Sequence, residues 1–193
     1  MENLIKKAKL RDADAFTELM QQQMQNMYKT ARSVLGNEED AADAISDTIL
    51  ACWEKIGQLK QDGYFRTWMT RILVNKCRDI IQKKKQFCLM EEVPEVPSRD
   101  KGYEDAEWKE ALNMLGERYR LIMMLYYVEG FQINEISSIL EITESTVRTR
   151  LARGREKLAG DYRPELRRNR YEKRISYNFN TRTKIRCCIN TRF

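Results

Sequence analysis

The sequence contains no histidine. That excludes histidine-based triads, histidine general bases and metal sites built on imidazole. Glycine and proline are scarce, eight and three among 193 residues, which disfavours turn-rich all-β folds. No run approaches the roughly 18 apolar residues that a membrane span needs, and the opening stretch MENLIKKAKLRDAD lacks the apolar core of a secretory signal. The five cysteines, Cys52, Cys77, Cys88, Cys187 and Cys188, are odd in number and show no C-x-x-C spacing, so neither a disulfide framework nor a zinc knuckle is indicated. Cys52 and Cys77 fall within helical patterns and are expected to be small, reduced core residues. Neither a G-K-[ST] phosphate loop nor a G-x-S-x-G elbow occurs. These absences predict a mostly helical, soluble, cytoplasmic protein without membrane insertion, cofactor or metal, and not an enzyme.

The formal charge is +6 but unevenly spread. Residues 162–193 hold ten Lys and Arg against two Glu, whereas residues 1–161 are nearly balanced. Within the balanced part, 36–54 carry six acids and no base, 66–85 carry seven bases and one acid, and 144–158 carry five bases and two acids. Separated basic stretches fit phosphate contact at more than one place. Solvated helix faces would show the same composition.

Hydrophobic spacing organises the chain. Asp12 is an N-cap for a helix carrying Ala15, Phe16, Leu19 and Met20, whose apolar face continues through Met24, Met27, Tyr28, Ala31, Val34 and Leu35. Gly36 stops it, and Asn37 caps a second helix with an apolar face of Ala41, Ala42, Ile45, Ile49, Ala51, Cys52, Trp53 and Ile56. Residues 57–64 read as a loop. Residues 65–85 read as a long helix with Trp68, Met69, Ile72, Leu73, Ile80 and Ile81 inward. Residues 88–103 hold Pro94, Pro97 and Gly102 without a helical period and read as a linker. Beyond it one helix is expected around Ala106, Trp108, Ala111, Leu112 and Leu115, and another from Tyr119 to Gly130. A short third helix carries Ile133, Ile136, Ile139 and Leu140. After a tight Glu141-Ile142-Thr143 connection, Thr143 caps a fourth helix. A short helix, a three-residue turn and an arginine-rich helix form a helix-turn-helix pattern. The fold class is thus all-α, with two small helical domains, 1–87 and 104–160, a flexible linker over 88–103, and a basic tail over 161–193 expected to be disordered.

Three segments carry chemistry. In QINEISSILEITESTVRTRLARGREKL, residues 132–158, the last helix turns Val147, Leu151 and Leu158 inward and leaves Ser145, Thr146, Arg148, Thr149, Arg153 and Arg155 outward. That set suits the donor and acceptor code of the major groove. In YFRTWMTRILVNKCRDIIQKKK, residues 64–85, Tyr64, Phe65 and Trp68 stand beside Arg66, Arg71, Asn75 and Arg78. Aromatic rings stack on unpaired bases while cations follow the phosphates, though Phe65 and Trp68 would equally serve a core. In the acidic helix, Asp40, Asp43, Asp47 and Glu54 recur at helical steps near one stripe. Such acids either serve the helix dipole or dock on a basic partner surface.

The three segments fall in an order that resembles the extracytoplasmic-function, or group four, bacterial RNA polymerase sigma factors, over about residues 8–160. EEDAADAISDTILACWEKI is similar to the family's polymerase-binding helix. YFRTWMTRILVNKCRDIIQKKK is similar to its F-R-x-W-L-x-R-I-x-x-N-x-x-x-D-x-x-R-x motif, which opens and reads the −10 element. ALNMLGERYRLIMMLYYVEGFQINEISSILEITESTVRTRLARGREKL is similar to the domain that reads the −35 element.

The resemblance implies that core RNA polymerase, through its β′ clamp and β flap, and promoter DNA, both double- and single-stranded, are partners. It also implies an anti-sigma factor. Asp43 and Asp47 match acids of the helix that docks on the clamp; Tyr64, Phe65, Trp68 and Asn75 match the −10 region; Arg148, Thr149 and Arg153 match the −35 recognition positions. The loop 57–64 matches one that captures a flipped base. Ser46 stands where the family often has Gln, Gly116 where it usually has Pro, and Glu141 where the turn usually has Gly; the tail beyond Tyr162 has no family counterpart. A stand-alone helix-turn-helix regulator is the alternative, but it leaves 64–85 and the acidic helix without a role. A small metal-dependent nuclease would need the acid cluster to converge with partners.

Overall fold

The computed structural model describes residues 1–88 and 115–161, with side chains through Lys84 and from Leu115 to Leu158. The expected linker beyond Cys88, the helix around Ala106, Trp108, Ala111 and Leu112, the tail beyond Asp161, and Cys187 and Cys188 lie outside the described residues. Helices, with two short 3₁₀ turns and one π-turn, make up the regular structure there, and no strand occurs among the described residues. No described helix is long and apolar enough to cross a membrane. The chain divides into two compact units.

The first unit is built from α1 (Glu2–Lys9), α2 (Ala13–Leu35), α3 (Glu38–Lys55) and α4 (Phe65–Cys88). Three residues suffice to turn α1 into α2. The Arg11 and Asp12 amides donate back to the carbonyls of Ala8 and Lys7, 3.0 and 3.3 Å, closing a Schellman-type turn with Arg11 left-handed at φ 67°. Asp12 also caps α2, accepting from the Ala15 amide at 3.0 Å. Gly36, left-handed at φ 77°, ends α2 and donates to the Arg32 carbonyl. Asn37 caps α3 as expected, accepting from the Asp40 amide at 2.8 Å.

The core of this unit holds Ile5, Ala8, Phe16, Leu19, Met20, Met27 and Ala31 from the first two helices. Ala41, Ala44, Ile45, Ala51 and Cys52 join it from α3, and Phe65, Met69, Leu73, Val74 and Cys77 from α4. Four details of the expected pattern are corrected. Met24 and Tyr28 are exposed, because α2 turns the stripe through Gln23 and Met27 inward. Ala42 is exposed and Ala44 buried, since α3 packs on both α2 and α4. Trp68, Ile72, Ile80 and Ile81 lie at the edge of the α4 contact, not its centre. The segment 57–64 is largely helical turn, with 3₁₀ turns at Ile56–Gln58 and Asp62–Tyr64, anchored by the buried Ile56 and Leu59. Burial pushes the Cys52 and Cys77 thiols up to about 12, so both remain protonated and unreactive at neutral pH.

The rest of the described chain carries α5 (Glu117–Met123), a π-turn at Met124–Val128, α6 (Ile133–Leu140) and α7 (Glu144–Asp161), all of which belong to the second unit except residues 137–141 at the end of α6. The single helix expected over 119–130 changes register midway: the Glu129 amide reaches the Met124 carbonyl, five residues back, at 3.0 Å. Leu121 to Leu125 are five consecutive buried residues, so this stretch is enclosed on all sides. Gly130, at φ 73°, ends it. Glu135 reaches back to the Gln132 amide at 2.7 Å and opens α6 in the manner of a capping box. Glu141 is left-handed at φ 57°, which costs roughly 1 kcal/mol for a residue with a Cβ. Thr143 then caps α7, its hydroxyl accepting from the Thr146 amide at 3.3 Å. Val147, Leu151 and Leu158 are buried as expected.

Gly154 lies where α7 packs on α5. A Cβ there would sit 3.2 Å from Met123 Sδ and 3.3 Å from its Cγ. Gly154→Leu is therefore expected to overpack this contact and cost about 1–3 kcal/mol, measurable as an earlier urea midpoint; an unchanged midpoint would show that the helices separate freely. Across α3 and α4, burial pushes the Asp40 carboxyl up, but hydrogen bonds from Asn37 and Lys84 and the Lys84 charge outweigh it, and the net shift is down from 3.8. A lowered folded value contributes stability above the unfolded value and loses it as pH falls through the folded one. Asp40→Asn should thus cost about 0.5–1 kcal/mol at neutral pH. That deficit should shrink in urea titrations taken well below pH 3.8.

Candidate nucleic-acid and polymerase interfaces

Two candidate surfaces of the first unit lie on α3 and α4, which pack against each other. On α3 the acids occupy one stripe, as spaced, but they differ in availability. Asp40 is drawn inward: Asn37 Nδ2 and Lys84 Nζ (2.6 Å) both donate to its Oδ2. Its place among partner-facing acids is therefore corrected, because its carboxylate is spent tying α4 to the start of α3. Asp47 is exposed and lies 3.5 Å from Lys76 of α4. Asp43 and Glu54 are exposed. Leu50, 63% exposed, stands among them on the same helix. No group of acids or cysteines among the described residues converges on a metal position.

On α4 the spacing brings together more than composition alone implied. Tyr64, Trp68, Arg71, Asn75 and Arg78 follow one another at steps of four, three, four and three, so they form one stripe along the helix. Tyr64, at the head of the stripe, is 52% exposed. Trp68 is half-buried, and Arg78 donates to Asn75 Oδ1 at 3.3 Å. Phe65 departs from the expected set. It is 1% exposed, with its ring 6.0 Å from that of Trp68. Its face is not open to a base; it supports Trp68 from below. Arg66, two positions from Tyr64, leaves the stripe and is half-buried.

In the second unit α7 presents Ser145, Arg148, Thr149 and Arg153 outward, all exposed, with Thr146 and Arg155 half-buried. Thr146 Oγ1 lies 2.8 Å from the capping Thr143 hydroxyl and so helps order the first turn. Thr149 donates to the Ser145 carbonyl at 2.9 Å. Arg148 pairs with Glu144 one turn back at 2.7 Å. An exposed pair of that kind is worth under about 1 kcal/mol. A bidentate arginine–guanine contact is worth about 1–3 kcal/mol, so a base can displace Glu144.

Sequence reasoning missed α1 and its partners. Lys9 donates to Asp62 in the second 3₁₀ turn. Arg11 stacks over Trp53, 5.3 Å from the ring centroid, and donates to the carbonyls of Trp53 and Glu54 at the end of α3. The only signal for these residues was a pair of bases just before the Asp12 cap.

Comparison with known proteins identifies the family. Residues 19–87 match Sigma-70 region 2, and residues 105–158 match Sigma-70 region 4. The chain is 31% identical over 132 residues to the RNA polymerase sigma factor SigV of Bacillus subtilis, covering 67% of this chain and 80% of that one. It is 30% identical over 151 residues to the ECF RNA polymerase sigma factor SigM of Mycobacterium tuberculosis, covering 77% of each. Among solved structures it resembles CnrH in complex with the cytosolic domain of CnrY, with a TM-score of 0.65 and 24% identity over 85% of this chain and 97% of that one. It also resembles the sigma factor RpoE in complex with the anti-sigma factor NepR from Bartonella quintana, with a TM-score of 0.66 and 22% identity over 74% and 93%. These two share the all-helical fold. Two regions matched in order, and relatives matched across most of their length, establish that the chain belongs to the extracytoplasmic-function RNA polymerase sigma factors, which direct initiation of transcription at promoters.

Proposed function

We propose how the surfaces divide that work. The domain over 1–87 binds core polymerase through Asp43, Asp47 and Glu54 on α3, which meet the basic face of the β′ clamp. The stripe of Tyr64, Trp68, Arg71, Asn75 and Arg78 holds the opened −10 strand. Its aromatic rings stack on unpaired bases at about 1–3 kcal/mol each, while its arginines follow the phosphates. Phe65 fixes the angle of Trp68, and Arg66 meets the backbone at the margin. The loop 57–64 takes one extruded base. The domain over 104–160, seated on the β flap, reads the −35 duplex with Arg148, Thr149 and Arg153, while Ser145, Thr146 and Arg155 contact phosphates. The segment 88–103 links the two, and 161–193 is a basic tail.

The observation that carries this division is the single α4 stripe, in which aromatic, amide and guanidinium groups alternate at helical steps. A stand-alone regulator has no use for it. The chain is an accessory of polymerase, not a catalyst, and works in the cytoplasm. An anti-sigma factor is the partner that would cover the two DNA-reading surfaces. Free protein binds promoter DNA weakly, because two short contacts gain avidity only when polymerase holds them at the spacing of the two elements.

Run-off transcription from a fragmented genomic library, with core polymerase alone and with the full chain, tests the proposal. New discrete starts sharing spaced −35 and −10 elements are expected, and their absence would overturn it. On a promoter found in this way, Arg148→Ala should reduce specific transcription about tenfold, from the loss of one bidentate contact, while co-elution with core stays intact. Trp68→Ala should block opening, read by permanganate reactivity of −10 thymines, with a melting profile close to wild type. A collapsed profile would instead assign Trp68 to the core.

A further inference from the structure

We propose that the N-terminal helix α1 and the turn that follows it form a positioning clamp for the loop 57–64, with Lys9 and Arg11 as the positioning residues. This rests on the reading above that the loop takes an extruded base, and it assigns the loop's shape to a helix with no place in that reading.

A short connection between two long helices cannot hold one conformation by its own contacts. Here only Ile56 and Leu59 are buried, while Gly57, Gln58, Lys60, Gln61, Gly63 and Tyr64 are exposed. Outside constraint comes from the end of α1 and the turn after it, at both ends of the loop. At its start, the Arg11 guanidinium donates to the last carbonyls of α3, those of Trp53 and Glu54, and lies over the Trp53 ring. A cation at a helix C-terminus meets the negative end of the dipole. At its far end, Lys9 pairs with Asp62, both side chains largely shielded at 24% and 19% exposure. Arg11 makes these contacts from a left-handed turn, at φ 67°. That conformation is costly for a side-chain-bearing residue and persists where surrounding contacts over-determine it. The Lys9 pair also has an electrostatic consequence. Asp62 is the one acid between Lys55 and Tyr64. Unpaired, it would repel the phosphates of a strand entering the loop; paired, it anchors the loop without that repulsion.

The test uses full-length protein with core polymerase and four promoters that differ only in the captured −10 base. The ratio of transcription from the best to the worst base is the readout, with thermal midpoint and core co-elution measured alongside. A triple loop variant, Gln58→Ala, Lys60→Ala and Gln61→Ala, should abolish the base preference. Lys9→Gln and Arg11→Gly should each lower the preference about threefold to fivefold, the scale set by one partly shielded ion pair, with core binding unchanged. Arg11→Gly is informative because glycine adopts the left-handed turn without strain, so it removes the guanidinium and spares the backbone. Exchanging the pair, Lys9→Asp with Asp62→Lys, should restore preference relative to Lys9→Asp alone. If the triple variant loses preference while Lys9→Gln and Arg11→Gly keep it, the clamp is wrong and the loop reading stands. If the triple variant keeps its preference, the loop reading fails and the clamp with it. A uniform loss on all four promoters with a lowered midpoint would make α1 merely structural and overturn the proposal.

Discussion

The packing of α4 against α3 is the contact on which the first domain depends. Each is a long helix with an apolar stripe, and each must bury that stripe against the same core. Phe65, Met69, Leu73 and Cys77 of α4 and Ala44, Ile45 and Cys52 of α3 leave no latitude in rotation, since all are buried. Once the rotations are set, the acids of α3 and the aromatic–arginine stripe of α4 have their directions by geometry alone. Asp40 to Lys84 and Asp47 to Lys76 then tie the two helices across their polar margins. Exposed ion pairs add little energy; here they are too weak to choose the packing and serve to trim it.

The second domain solves a different problem with the same means. A recognition helix must be held by one face so that the other is free. Val147, Leu151 and Leu158 do the holding, and Gly154 lets α7 approach α5 closely enough for Met123 to fill the contact. The turn before α7 accepts strain at Glu141, where a glycine would be relaxed. Three residues leave little choice of path, so the penalty falls on whichever side chain occupies that position. The arginines of α7 are then carried on a helix held by its buried face, as the proposed reading of a groove requires.

Most of this was legible in the sequence, because the signals are local. Asp12, Gly36, Asn37 and Thr143 punctuate helices through bonds to residues three or four away, and such bonds do not depend on the rest of the fold. The inward residues of α7 followed from helical spacing. The misjudged residues share a cause. Met24 and Tyr28 read as core because they continue the helical spacing of the apolar face, yet at 41% and 40% exposure they lie at the margin of the stripe that α2 buries. Phe65, an aromatic beside bases, fitted either a base contact or the core, and at 1% exposure it is core: one residue along a helix from Tyr64 is a rotation of about 100°.

The sequence by itself determined the helices from Asp12 onward among the described residues, most of their caps and the helix-turn-helix, because each rests on spacing within one segment, and the family, because three such segments follow in order. Only the tertiary structure decided which acids are exposed and which is drawn inward, which aromatic supports and which is exposed, and how the end of α1 and the turn after it are joined to the loop 57–64. Lys9 and Asp62 are fifty-three residues apart, and Arg11 and Trp53 forty-two. No periodicity within a segment records such a pairing, since it exists only when two helices, each burying its own stripe, bring those ends together.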